Sequence, residues 1–375
     1  MVPETIRAWV EISTQAMVHN LQLAKRLTGR KVMAVIKGNA HGHGAAACGR
    51  ALEKNGCDAF AVACLTEGEE LRKSGIAAPI LILGWTPAEY AAELGRYNLI
   101  QSILEEDYAL ELDQAAEAAG VTVEGHIKLD TGMSRTGIFA QENAAEAASS
   151  VIRISEMKHL HITGIFTHYA AADMPVKDDY TAWQLNNYQA VLDELKTRGF
   201  DRPLIRHTGN SASILYHSET YYDMVRMGVM MYGFYPNGIY DPDGPLEPAL
   251  TMKARVAQVK ELPAGAHISY GCTFETPHPM RIATVTAGYA DSYPRILSNR
   301  GAYAVINGHK CPQVGRICMD MCMFDVTDAG DVDRGDEVIL YGRGGMPMDK
   351  MAELTGSINC EPACLLTSRV ARVYV

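Results

Sequence analysis

The sequence predicts an α/β chain, an N-terminal TIM (β/α)8 barrel followed by a mostly β C-terminal domain, and three observations predict it. The first two-thirds alternates short apolar runs with amphipathic helical stretches, the signature of repeated βα units. Eight such runs can be counted, the number a TIM barrel requires, and that fold carries its active site at the C-terminal ends of the strands. After Gly244 the helical pattern gives way to apolar segments separated by Pro and Gly turns.

In chain order, Ala8–Ile12 precedes the barrel pattern and is available to pair with the later β domain. The barrel strands are expected at Val32–Lys37, Asp58–Ala63, Pro79–Gly84, Asn98–Ile103, Val123–Leu129, Ile162–His168, Leu204–His207 and Tyr222–Met227. Among the intervening helices, Asp178–Arg198 repeats Tyr188, Val191, Leu192 and Leu195 at helical spacing and meets a stop signal at Gly199. A doubly wound open sheet is the other architecture, although eight units would be many for it. Beyond Gly244, the segments Leu250–Leu262, Ile282–Thr286, Ala302–Ile306 and Glu337–Tyr341 read as strands, and Asp349–Thr355 as a helix. The expected organisation is an N-terminal strand over residues 1–12 joined to the β domain, a barrel over 13–244 and a β domain over 245–375.

A length of 375 residues exceeds one small domain and suits a barrel with an appended module. Apolar residues make up 47% and charged residues 21%, an ordinary globular composition. A formal charge of −10 argues against general nucleic-acid binding, which needs a basic surface. No stretch approaches the roughly 20 apolar residues of a membrane span. The start, MVPETIRAWVEI, lacks the apolar core of a signal peptide. Nine scattered cysteines, with Cys57 and Cys64 in apolar strings, fit a reduced, cytoplasmic setting better than a disulfide framework. Cys318/Cys322 and Cys360/Cys364 have weak metal-ligand spacing and no paired histidines, so no metal is expected.

The first segment that carries chemistry is AVIKGNAHGHG, Ala34 to Gly44. A lysine ending a buried strand is costly, because its ammonium must be desolvated. Desolvation also lowers the lysine pKa and makes the neutral amine available for covalent chemistry with a carbonyl. A strand-end lysine that snorkels to solvent is the other reading of this segment.

This segment resembles the cofactor-lysine motif of the alanine racemase family. Further motifs similar to that family follow in order: HIKLDTGMSRTG at 126–137, GIFTHYAAAD at 164–173, HTGNSAS at 207–213, MVRMGVMMYG at 224–233, ISYG at 268–271, GYAD at 288–291 and VGRICMD at 314–320. The resemblance covers essentially the whole chain. It implies that Lys37 carries pyridoxal 5'-phosphate and exchanges the substrate α-proton on one face. Tyr270 would do so on the opposite face, reaching in from the second subunit of a homodimer. A racemase must take a proton from one side and return it to the other, which one fixed group can do only by moving. Tyrosine is a poor base at its ordinary pKa of roughly 10 and needs a cationic neighbour.

The resemblance implies further roles. Arg226 matches the arginine at the pyridine nitrogen, where a guanidinium donates a hydrogen bond without transferring its proton. His168 would help hold Arg226 and the ring, and Asn210, Ser211, Gly228 and Val229 would cradle the phosphate. Arg135 would lie near the substrate carboxylate, oriented by Lys128 if that lysine is carbamylated. Cys318, Met319 and Asp320 match a loop given to the pocket by the second subunit, and Tyr289 would line its entrance.

Two positions depart from the family pattern. His41 stands where tyrosine is usual in KANAYGHG, and Cys360 stands where INYE carries a second tyrosine that reaches the phosphate and crowds the substrate. The lost bulk, with an amide offered by Asn359, would admit serine beside alanine. This pattern is similar to the serine/alanine racemase domains of vancomycin-resistance proteins, which are anchored through a separate membrane segment. The expected activity is therefore interconversion of L- and D-alanine, L- and D-serine, or both, supplying D-amino acids for peptidoglycan precursors. Three rival readings compete with this one. A non-catalytic pyridoxal-phosphate carrier would lack the β domain. A decarboxylase on the same plan would place an acid where Arg226 stands. A metal-dependent barrel hydrolase would draw on His41, His43, His168 and His207.

Overall fold

The computed structural model describes residues 5–375. The chain divides into two units, one formed by Asn20–Ala40 with Ala45–Met231, the other by residues 5–19, His41–Gly44 and Tyr232–Val375. Strands are numbered in chain order from β1 (Ala8–Ile12).

In the first unit, eight parallel strands follow one another around a ring: β2 (Lys31–Val35), β3 (Ala59–Val62), β4 (Ile80–Ile82), β5 (Ile100–Ile103), β6 (Val123–Asp130), β8 (Leu160–Phe166), β9 (Ile205–His207) and β10 (Met224–Met227). The short β7 (Ile138–Phe139) extends the end of β6. β10 pairs with β2 in parallel register. β9 and β10 meet where Asp223 N–H donates to Arg206 O at 3.0 Å and Arg226 N–H to Gly209 O at 2.9 Å. This is the expected TIM-type barrel. Its strands are apolar on consecutive positions because both faces are covered, one by helices and one by the interior. The helix Asp178–Thr197 buries Tyr188, Val191 and Leu195 on one stripe, and Gly199 ends it at φ 75°.

The interior is divided. Met33, Val35, Ala59, Ala61, Leu81 and Phe166 share one apolar cluster. By the two-residue period of a strand, His126 and Lys128 share a face of β6. Both are buried, as are His207 at the end of β9 and Arg226 in β10. This polar layer toward the strand ends is where a barrel places chemistry.

Two expected strand ends are corrected. Lys37 lies beyond β2, because Ile36 N–H continues the ladder to Ala61 O and the backbone then turns left-handed. His168 likewise lies beyond β8, which ends at Phe166.

The second unit is mostly β, as expected. β11 (Leu250–Leu262), β14 (Met280–Val285), β15 (Tyr303–Ile306), β16 (His309–Val314), β17 (Cys322–Asp325) and β18 (Glu337–Gly342) form a closed ladder, since β14 pairs with both β17 and β11. The hairpin β12 (His267–Ile268) with β13 (Phe274–Glu275) stands apart from that sheet. β1 pairs antiparallel with β11 and parallel with the last strand, β19 (Ala371–Tyr374), so the opening strand belongs to the β domain. Lys253 of β11 reinforces the order by reaching Glu11 of β1 at 2.9 Å and Glu337 of β18 at 2.7 Å. Among the described residues, no helix is long and apolar enough to cross a membrane.

Candidate active site

Lys37 is half-buried at the mouth of the barrel. The four residues after it are all left-handed: Gly38 φ 62°, Asn39 φ 52°, Ala40 φ 54° and His41 φ 49°. For residues other than glycine this conformation costs roughly 1–2 kcal/mol each, so the surroundings must enforce it. Two side chains do so. Asn39 Oδ1 accepts from Ala45 N at 2.8 Å. Glu67 accepts from Gly38 N through Oε1 and from Ala63 N through Oε2, each at 2.7 Å, and so ties the end of β3 to the residue after Lys37. Sequence reading missed Glu67, whose role appears only when two separate loops are brought together. Replacing Glu67 by alanine is expected to destabilise the protein by about 2 kcal/mol, the scale of losing charge-assisted hydrogen bonds to N–H groups. Urea unfolding measures this, and a change inside experimental error would show that the turn holds itself.

Arg226 is only 3% exposed. Its Nη1 donates to His207 O at 2.7 Å and approaches His207 Nδ1 at 3.1 Å. Its Nη2 reaches Thr167 O at 2.7 Å, Thr208 O at 3.0 Å and His168 Nδ1 at 3.0 Å. All these partners are neutral acceptors, and Nε–H has no acceptor among the described residues. Burial pulls the guanidinium down to about 10, which leaves it charged at neutral pH. His168 is pushed well below its ordinary value, first by burial and then by the Arg226 charge, so it stays neutral.

Lys128 is 5% exposed, and its Nζ donates to Thr136 Oγ1 at 2.5 Å. Burial, followed by the charges of Arg135 and Arg226, lowers its amine to about 8. Arg135 itself is exposed beside this strand end. Asn210 caps the helix Ser211–Tyr216 by accepting from Ser213 N at 3.0 Å. Ser211 Oγ accepts from Gly228 N at 2.9 Å and Met230 N at 3.3 Å. The Gly228 N–H thus points at the same spot as the Ser211 hydroxyl. The Ser211 hydroxyl, accepting twice, keeps its own hydrogen for an anion.

The β unit groups its expected residues in a different way. Tyr270, Cys318, Met319 and Asp320 line one open depression of about 630 Å³. Tyr270 follows Ser269 at φ 66° and precedes Gly271 at φ 71° in the tip joining β12 to β13, and it is 68% exposed. Ser269 Oγ fastens this tip by donating to Arg316 O at 2.6 Å. The GYAD and VGRICMD motifs are interlocked: Tyr289 N donates to Cys318 O at 3.1 Å and Ala290 N to Met319 O at 3.0 Å. A Cβ at Gly288 would stand 2.3 Å from Cys318 O, so only glycine permits that approach. Asp320 is ion-paired with Arg369, which also holds the buried Asp291 at 2.9 Å. Tyr289 is exposed. His41 is buried, with its ring 4.7 Å from that of Tyr232, and Cys360 is half-buried ahead of the helix Glu361–Cys364. Asn359 commits its amide nitrogen to Tyr235 O at 2.9 Å and Asp349 Oδ1 at 2.8 Å, so that donor is not available to a substrate hydroxyl.

These residues fit pyridoxal phosphate: a half-buried lysine just beyond a barrel strand, a buried arginine with one uncommitted N–H, and a hydroxyl with an uncommitted hydrogen near a helix start. Barrel, β domain and site together define a pyridoxal-phosphate enzyme of the barrel-plus-β-domain class. The alanine racemase N-terminal domain family matches residues 12–236 and the alanine racemase C-terminal domain family residues 249–374. The chain is 39% identical over 370 residues to an alanine racemase of Desulforamulus reducens, covering 98% of each. It is 38% identical over 373 residues to one of Methanococcus maripaludis, again covering 98% of each. Alanine racemase from Clostridium difficile 630 superposes with a TM-score of 0.92 at 35% identity, over 100% of this chain and 97% of that one. The enzyme from E. faecalis gives 0.89 at 34% identity, over 99% of both. The chain belongs to the alanine racemase family.

Proposed function

We propose that this enzyme interconverts L- and D-alanine by a two-base mechanism and also accepts serine, its D-amino acids feeding peptidoglycan precursors. The observation that carries the reading is Arg226, a buried cation held by neutral acceptors where a decarboxylase of this plan would present an acid. Pyridoxal phosphate, when bound, supplies the electron-withdrawing ring that acidifies the substrate α-hydrogen. Lys37 would hold it and move a proton at the α-carbon through Nζ, and Tyr270 Oη of a second copy would do so on the other face. Arg226 Nε–H would meet the ring nitrogen as a donor that keeps its proton, which moderates the ring and limits side reactions. Ser211 and Val229 would bind the phosphate, assisted by Asn210 and His41, while Arg135 and Met319 N–H would orient the substrate carboxylate. Exposed Tyr270, Met319 and Tyr289 suit a face that completes a neighbour's pocket in a homodimer.

The test is a chiral-chromatography screen of alanine and serine with and without added cofactor. With the Asn359 amide nitrogen engaged within the chain, the case for serine rests on the room left by Cys360 and on the Asn359 amide oxygen as an acceptor. A small apolar pocket rejects an added hydroxyl by only about 10²-fold, so serine kcat/KM is expected within that factor of alanine. Undetectable serine turnover removes serine from the proposal, and absent alanine turnover in the presence of cofactor removes the racemase reading.

Lys128 is proposed to carry a carbamate, as an amine that loses its proton near pH 8 can attack carbon dioxide. A carbamate carbon signal is expected from the protein in ¹³C-bicarbonate, fading as pH falls below about 8 because the ammonium form cannot react. Its absence at high pH would leave Lys128 as a plain cation.

A further inference from the structure

Behind Arg226 the barrel interior contains two histidines, His207 and His126, that the mechanism above does not use. A guanidinium can only donate hydrogen bonds. Arg226 Nη1 lies 3.1 Å from His207 Nδ1, so that nitrogen accepts and the ring carries its hydrogen on Nε2. His207 Nε2 lies 2.9 Å from His126 Nδ1, which must accept in turn and leaves the His126 hydrogen on Nε2. That last nitrogen is buried with no partner among the described residues. Each ring is thus fixed in one tautomer by the ring or guanidinium before it.

Packing holds the chain in this geometry. The His207 ring stacks on Phe166 at 4.8 Å with an interplanar angle of 8°. A Cβ at Gly164 would stand 2.6 Å from the His126 ring, so glycine at that strand position makes the room the imidazole occupies. Both rings stay neutral. Burial, then the charge of Arg226, brings His126 to about 4, and burial, then His126 and Arg226, takes His207 well below its ordinary value. A carboxylate in the place of His207 would hold Arg226 as firmly but would cancel its charge. A neutral imidazole holds it without doing so.

We propose that His207, backed by His126, is a positioning residue for Arg226: its Nδ1 fixes the guanidinium plane and leaves Nε–H as the one donor for the cofactor ring nitrogen. The proposal rests on the pyridoxal-phosphate reading for that last step only.

Three substitutions separate positioning from bulk packing. His207→Asn keeps an acceptor near the Nδ1 position, His207→Gln keeps a donor near the Nε2 position, and His207→Phe keeps only the stacked ring. Pyridoxal-phosphate dissociation constants are expected to rise roughly tenfold or more in H207F and H207Q, the effect of losing a hydrogen bond to a charged group, and to stay within about threefold of the parent in H207N. Equal losses in H207N and H207F, or no loss in H207F, would overturn the proposal. Nitrogen-15 spectra of the unsubstituted apoprotein test the chain without any variant. Protonated Nε2 on both His207 and His126 is expected, and a hydrogen on His207 Nδ1 overturns the arrangement. If the parent failed to bind pyridoxal phosphate, the functional reading would fall by itself. Arg226 Nη hydrogens exchanging slowly in the parent and quickly in H207F would still uphold the positioning role, and equal exchange would reject it.

Discussion

Lys37→Ala is expected to abolish racemisation, with a loss of about 10⁴-fold or more, because one residue is assigned both covalent attachment and proton transfer. Borohydride reduction of the parent should fix the cofactor on the Lys37 peptide, and the variant should carry no label there. The substitution is mild structurally. Lys37 is half-buried, and the left-handed turn after it is secured by Glu67 and Asn39 through other residues' backbone. Unfolding temperature should therefore hardly change, which separates lost chemistry from lost fold. An alternative amine is Lys128, whose pKa the charge of Lys37 helps to lower. Lys128 donates to Thr136 from inside the barrel and is not expected to substitute. Label on Lys128 in the parent, or residual turnover above a few per cent in K37A, as roughly judged on the rate scale above, would move the assignment away from Lys37.

The eight barrel strands were legible because parallel strands covered on both faces must be apolar at successive positions, a signal that survives without tertiary information. Their ends were not. Lys37 and His168 read as strand residues, but the left-handed run from Gly38 to His41 depends on Glu67 and Asn39, which lie elsewhere in the sequence or act through the backbone. The β domain was legible in its long strand and as a class. Short strands escaped: His309–Val314 contains Pro312, and Ala371–Tyr374 exists only as a partner to the opening strand. In the site, motif order pointed to Lys37, Arg226 and Ser211. The His207–His126 chain did not stand out, although two inward-facing polar residues on one strand, His126 and Lys128, were a usable signal. The commitment of Asn359 to Tyr235 and Asp349 could not be read from neighbours in sequence, since both partners are remote.

Tyr270→Ala is expected to depress racemisation by about 10³-fold, within the range of a lost general base, while α-hydrogen exchange in D₂O persists for one enantiomer through Lys37. Exchange lost equally from both enantiomers would contradict a base assigned to a single face. The exposure of this tyrosine is informative: at 68% exposed on the tip between β12 and β13, it has no hydrogen-bond partner in its own chain among the described residues. A phenol left open by its own fold suits a partner's pocket, and mixing variants tests this directly. K37A supplies an intact Tyr270, and Y270A supplies an intact Lys37. In a two-fold dimer with shared sites, each mixed dimer contains one site with both residues. Random reassortment of equal amounts should then restore roughly a quarter of parent activity from two inactive proteins. If both residues of a site come from one chain, no combination contains an intact pair, and the mixture must remain as inactive as its components.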